Sequence, residues 1–140
     1  MSERPKVLFV CVRNAGKSQM AAGLMADYVG DAVEVSSAGT TAGTALNELS
    51  VQSLAEVGID IAGDHPKPLT DAMVRSADVV VTLGREAHVE PVEETRFEKW
   101  ITDEPSERGI DGIERMRLVR NDIATRVREL AAELGIAPGN

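Results

Sequence analysis

The sequence predicts an α/β fold: an open four-stranded parallel sheet with helices on both faces, a three-layer sandwich. Three observations predict it. Short apolar runs such as Lys6–Val10 (KVLFV) and Asp78–Leu83 (DVVVTL) alternate along the chain with stretches whose apolar residues recur every three or four positions. DVVVTL lacks the polar alternation of a half-solvated strand, so it needs cover on both faces, as strands of parallel sheets have. Near the end of the chain, Ile113, Met116, Val119, Ile123, Val127, Leu130 and Leu134 draw one long helical stripe. With 140 residues and 43% hydrophobic composition, the chain has enough apolar surface for one core, and a single domain over residues 1–140 is expected.

The elements follow in order. Lys6–Val10 is a buried strand, bounded by Pro5 and a glycine-containing loop. Met20, Ala21, Leu24, Met25 and Tyr28 then form one face of a helix that Gly30 closes. Val33–Ser36 (VEVS) alternates as a second strand, and Ser37–Thr44 (SAGTTAGT) reads as small, polar loop. A helix around Leu46–Val57 ends at Gly58, and Asp64–Thr70 turns on two prolines. A short helix over Asp71–Ser76 precedes DVVVTL. Gly84–Glu107 is acidic and irregular, with a short strand near Thr95–Lys99 before Trp100. Arg115, Arg117, Arg120, Arg126 and Arg128 lie largely off the apolar stripe of the last helix and read as a solvated face beside nearby acids.

Composition narrows the partners. Formal net charge is −8, spread over both halves without a basic stripe, so no nucleic-acid binding is expected. No apolar run approaches a membrane span, and MSERPK leads into a strand without the apolar stretch of a signal peptide, so a soluble, cytoplasmic protein is expected. One cysteine excludes an internal disulfide and a cysteine-rich zinc site, while His65 and His88 lack a ligand spacing; no metal is expected.

The chemistry concentrates in CVRNAGKS (Cys11–Ser18), between the first strand and the first helix. As a nucleotide-binding P-loop it fits every fixed position except the first glycine, where Cys11 stands. DVVVTL also ends without the acid that would hold magnesium. As a merely structural residue, Cys11 would be a small buried hydrophobe. Its surroundings argue for a nucleophile instead: a loop at a helix N-terminus, Arg13 and Lys17 close by, and the Ser18 hydroxyl, all of which favour thiolate over thiol. Val12, Arg13, Asn14, Ala15, Gly16, Lys17 and Ser18 are the candidate oxyanion-binding loop.

A strand followed by C-x-x-N-x-x-[RK]-S opening a helix, with SAGT (Ser37–Thr40) further on, resembles the low-molecular-weight protein tyrosine phosphatase fold, which thioredoxin-type arsenate reductases share. The resemblance spans nearly the whole chain. It implies that Cys11 is the nucleophile, that Asn14 braces the loop, that Lys17 stands where arginine is usual, and that Ser18 hydrogen-bonds the thiolate. It also implies a general acid before a proline, which places Glu104 in WITDEP (Trp100–Pro105), with Asp103 as a possible second acid.

Two departures bear on substrate. Lysine offers a point charge where phosphatases use a guanidinium fork, which predicts a poor phosphatase. Thioredoxin-type reductases pass oxidation to further cysteines of their own, and Leu83–Pro91 (LGREAHVEP) holds none. Together with C-x-x-N-x-G-K-S-Q-M-A-A and Glu114–Ile123 (ERMRLVRNDI), this resembles the single-cysteine, mycothiol-dependent arsenate reductases of actinobacteria. That resemblance implies an arsenate to mycothiol transferase serving arsenic detoxification. It would have no bound cofactor, use mycothiol as co-substrate, and pass its thiol-arsenate adduct to a mycoredoxin. Cys11 either attacks arsenic or only positions it, and Arg13 either binds a substrate or faces solvent. A monomer is expected. The alternatives are a weak phosphatase and a non-catalytic oxyanion-binding module.

Overall fold

The computed structural model of the chain describes residues 4–102 and 104–139. Four strands, β1 (Lys6–Cys11), β2 (Glu34–Gly39), β3 (Val79–Leu83) and β4 (Arg96–Trp100), pair in parallel in the order β2-β1-β3-β4. The helices are α1 (Lys17–Val29), α2 (Glu48–Ala55), α3 (Asp71–Ser76) and α4 (Gly112–Glu133). This is the expected four-stranded parallel sheet in a three-layer α/β fold.

Both sheet faces are covered, which explains the unbroken apolar strands. Val7, Phe9, Val79, Val81 and Leu83 point into a core with Met20 and Met25 of α1, Leu54 of α2, and Val119, Ile123, Val127 and Leu130 of α4. Leu8, Val10 and Val80 point the other way, against Val74 of α3, with Ala77, Leu69 and Phe97 around them. Phe9 and Trp100 tilt against each other at 5.7 Å between ring centroids, tying β1 to the end of β4.

Two elements differ from expectation by more than one residue. β2 continues through Ser37, Ala38 and Gly39, read above as loop, which pair with Phe9, Val10 and Cys11 of β1. The neighbouring strand supplies ladder partners that local composition does not reveal. The second helix is shorter than Leu46–Val57: Asn47 caps it, accepting a 3.1 Å hydrogen bond from the Ser50 amide.

The arginines off the α4 stripe do meet acids. Arg117 and Arg120 both grip Glu56, at 2.6 and 2.9 Å, and Arg120 also donates to the Ser53 carbonyl, clasping the end of α2 to α4. Arg126 pairs with Asp122 one turn away and donates to the Ile101 carbonyl. Arg115 meets Glu104 at 3.3 Å, and Arg128 donates to the Thr125 hydroxyl.

The topology dictates where a ligand fits. β1 has β2 on one side and β3 on the other, so the chain leaves it in one direction through α1 and returns across it before β3. The crevice beyond the carboxyl ends of β1 and β3 is the switch point of a doubly wound sheet.

The clasp at Glu56 gives a pH prediction. Hydrogen bonds from Arg117, and then Arg120, outweigh desolvation and lower the Glu56 carboxyl from 4.5 to about 2. Because the folded value lies below the unfolded one, this stabilisation is complete above about pH 5 and is lost as pH falls toward 2. The melting-temperature gap between wild type and Glu56→Gln should therefore be widest at neutral pH and close in acid. A gap constant down to pH 2 would refute it.

Candidate active site

The loop after β1 is held by its carbonyls. Those of Cys11, Val12 and Arg13 accept from the amides of Thr40, Thr41 and Gly43, at 3.0, 2.7 and 2.9 Å, and that of Ala15 accepts from Asn47 at 2.8 Å. The Gly16 carbonyl accepts from Met20, opening α1. No peptide bond among the described residues is cis. A trans peptide sets N–H opposite C=O, so carbonyls tied to the segment behind the loop turn the following amides toward its mouth. The Asn14 amide, which follows the tied Arg13 carbonyl, does so, donating to Cys11 Sγ at 3.2 Å. Such a run of inward amides at a helix N-terminus is the chemistry of an anion cradle.

Asn14 organises the loop from inside. It is fully buried with φ of 54°, a left-handed conformation that asparagine tolerates better than most residues. Its Oδ1 accepts from the Lys67 backbone amide at 2.9 Å and from Gln19 Nε2 at 3.1 Å. A backbone N–H can only donate, which fixes the amide's orientation and makes Nδ2 the donor to Ser18 Oγ at 2.6 Å. Ser18 Oγ, already accepting from Asn14, lies 3.0 Å from Cys11 Sγ with its own proton free for the sulfur. The sulfur therefore accepts from Asn14 N and Ser18 Oγ and needs to donate to neither, an arrangement suited to a thiolate.

Gly39 explains the small residues at the end of β2. A Cβ there would sit 2.7 Å from the Val12 carbonyl oxygen and 2.9 Å from backbone atoms of Arg13 and Asn14. The loop can lie this low only over glycine. The backbone of Lys67 and Leu69 pairs with Gly39 on its other side, delivering the Lys67 amide to Asn14.

Above the sulfur opens a cavity of about 500 Å³, within the range of small-molecule pockets. Cys11, Val12, Arg13, Ala15, Gly16 and Lys17 form its floor, with Gly84, Arg85 and Glu86 after β3 on one wall and Ile101, Thr102, Glu104 and Glu107 on another. It is several times the volume one tetrahedral oxyanion fills, judged against roughly 30 Å³ for a water molecule. Lys17 Nζ is ion-paired with Glu104 Oε1, while Arg115 reaches Glu104 Oε2 at 3.3 Å. Burial pushes the Glu104 carboxyl up, but the hydrogen bonds and charges of Lys17 and Arg115 prevail and hold it below the usual carboxylate range. Glu104 is thus a carboxylate, and donating a proton would require both cations to release it.

The structure thus brings Cys11, Asn14, Lys17, Ser18 and Glu104 together, with the remaining loop residues 12, 13, 15 and 16 around them. Arg13 is exposed at the rim. Asp103 lies outside the described residues. His65 and His88 are exposed, although the His65 carbonyl accepts from Gln19 behind the loop. The sequence reading missed Arg85, Thr102, Arg115 and the clamp from Thr40 to Asn47. Only Arg85 carried a signal, its place just past a strand bordering β1.

An open parallel α/β domain with a cysteine beneath an amide-lined loop, at the switch point of its sheet, defines a recognisable class of protein. The chain belongs to the family of low molecular weight phosphotyrosine protein phosphatases, whose profile matches residues 6–137. It is 34% identical over 131 residues to an arsenate reductase of Halalkalibacterium halodurans, covering 89% of this chain and 94% of that one. With the glutaredoxin arsenate reductase of Synechocystis it shares 32% identity, over 92% of this chain and 98% of the other. Among solved structures, the Corynebacterium glutamicum thioredoxin-dependent arsenate reductase superposes with a TM-score of 0.81 at 35% identity, over 96% of this chain. This chain spans 63% of that protein's length. An arsenate reductase in its phosphate-binding state gives a TM-score of 0.78 at 33% identity, covering 92% of this chain and 98% of the other.

Two substitutions test the wiring. Asn14→Asp keeps the shape and the bonds at Oδ1 but replaces the donor facing Ser18 with an acceptor, drawing the Ser18 proton off the sulfur. Iodoacetamide alkylation of Cys11 at pH 6 should slow severalfold; an unchanged rate would break the chain from Asn14 through Ser18 to sulfur. Gly39→Ala should cost about 1–3 kcal/mol in urea unfolding by forcing the loop upward and abolish protection of Cys11 by phosphate. A fully protected, fully stable variant would contradict the close approach.

Proposed function

We propose that this protein is an arsenate reductase that works as an arsenate to mycothiol transferase. The observation that carries the reading is a lone sulfur, hydrogen-bonded as an acceptor beneath an amide cradle, in a chain with no second cysteine. Relatives named arsenate reductases support the substrate. The lone cysteine supports an external thiol, because no internal disulfide can form to carry the electrons away.

In this proposal, dihydrogen arsenate rests on the loop amides and Lys17. The Cys11 thiolate bonds to arsenic, one oxygen leaves as water carrying both of the anion's protons, and arsenic stays pentavalent. The mycothiol sulfur, its proton passed to the Glu104 carboxylate, then attacks arsenic and displaces Cys11, regenerating the thiolate. Ser18 and Asn14 N stabilise that sulfur as leaving group. Reduction happens elsewhere: a mycoredoxin thiolate attacks the mycothiol sulfur of the adduct, the S–As bonding pair stays on arsenic, and arsenite leaves from a mixed disulfide. The cavity has room for a thiol over the oxyanion, with Arg13 and Arg85 exposed at its rim.

The family name favours a second reading, phosphatase activity. Lys17 argues against efficiency, since an ammonium cannot clamp two equatorial oxygens of a transferring phosphoryl group as a guanidinium can.

Purified protein with arsenate, mycothiol, mycoredoxin and its NADPH-dependent reductant should consume NADPH at least about a hundredfold faster than Cys11→Ser. Equal rates would reject the proposal. Replacing mycothiol with glutathione should lower the rate, and the reverse preference would reassign the thiol. Lys17→Arg should raise p-nitrophenyl phosphate hydrolysis; no increase would show that the missing fork is not what limits it.

A further inference from the structure

Arg115 stands outside the cavity lining, one turn into α4, yet it faces the carboxylate that closes on Lys17. Glu104 is shared: one oxygen is on Lys17 and the other on Arg115. The backbone between them is stiffened, because Glu104 leads directly into a 3-10 turn, Pro105–Arg108, whose buried Pro105 seats the segment near the start of α4. Arg115 Nε is itself buried without a hydrogen-bond partner among the described residues, so the guanidinium has a donor in reserve.

Lys17 is the loop cation that Glu104 holds, and it cannot serve an incoming oxyanion and Glu104 fully at once. An anion on the loop displaces the carboxylate, which then needs a second seat or stays as a negative charge beside the ligand. We propose that Arg115 is a positioning residue that takes over the Glu104 carboxylate when an oxyanion claims Lys17, so that Glu104 and Arg115 together set the affinity of the loop for tetrahedral oxyanions. This rests on the loop being an oxyanion site, as proposed above. Glu104 acts as an internal competitor, and Arg115 lowers the cost of displacing it. The remaining charges at the mouth, Arg13 and Arg85 against Glu86 and Glu107, are exposed and act through solvent.

The test uses the full chain and inorganic phosphate, with dissociation constants from protection of Cys11 against iodoacetamide at fixed pH and ionic strength. Glu104→Gln should tighten phosphate binding about fivefold and Arg115→Gln should weaken it by a similar factor, the lower end of typical coupling between sites. In a Glu104→Gln background, Arg115→Gln should lose most of its effect, and Arg115→Lys should restore much of the wild-type affinity. A purely structural role for Arg115 would give the same loss in both backgrounds and no rescue by lysine, and that result overturns the inference. Equal affinity in wild type and Arg115→Gln overturns it as well. If wild type itself gives no protection by phosphate, the oxyanion reading of the loop fails first.

Discussion

The mouth of this protein depends on the direction of a few peptide planes. Five consecutive residues after β1 would, if free, present a mixture of carbonyls and amides to anything above them. Anchoring the carbonyls of Val12, Arg13 and Ala15 to the chain between Thr41 and Asn47, and that of Gly16 to α1, turns most of the mixture away. What remains is a set of donors around one sulfur, at no cost in formal charge. This explains how a chain of net charge −8 can offer a seat to an anion: the attraction is local and dipolar, assisted by one lysine, and needs no basic surface.

The side chains of the site are arranged in opposition to that seat as much as in support of it. Ser18 and Asn14 hydrogen-bond the sulfur and its neighbour, whereas Glu104 holds Lys17 in an ion pair. A half-buried lysine without a counter-charge would be costly, and a half-buried carboxylate without cations would be too. Each neutralises the other.

Much of this was legible from residue order. The parallel sheet followed from apolar strands without alternation, and α4 from a stripe that proves buried from Met116 to Leu130. The loop announced itself because cysteine, asparagine, lysine and serine stand at fixed spacing on one short segment. What stayed hidden was held by distant pairing. Ser37–Gly39 look like loop because small residues usually do, and only the ladder to β1 makes them strand. Arg115 looks like any solvated helix arginine, since its partner lies on a loop whose course sequence does not reveal. Thr102, whose Oγ1 is buried without a partner among the described residues, gave no sign in its immediate neighbours.

The sheet has two open flanks, β2 and β4, and a flank is where one chain can stitch itself onto another. On β4 the residues alternate Arg96, Phe97, Glu98, Lys99, and Arg96 is drawn to both Glu98 and Glu133 of α4. On β2 the far end is already occupied, because Pro68 lies beside Gly39 and offers no amide to continue the ladder. A stranger approaching either margin would have to strip hydrated charges or meet a proline, so these two short edge strands resist being extended into fibres.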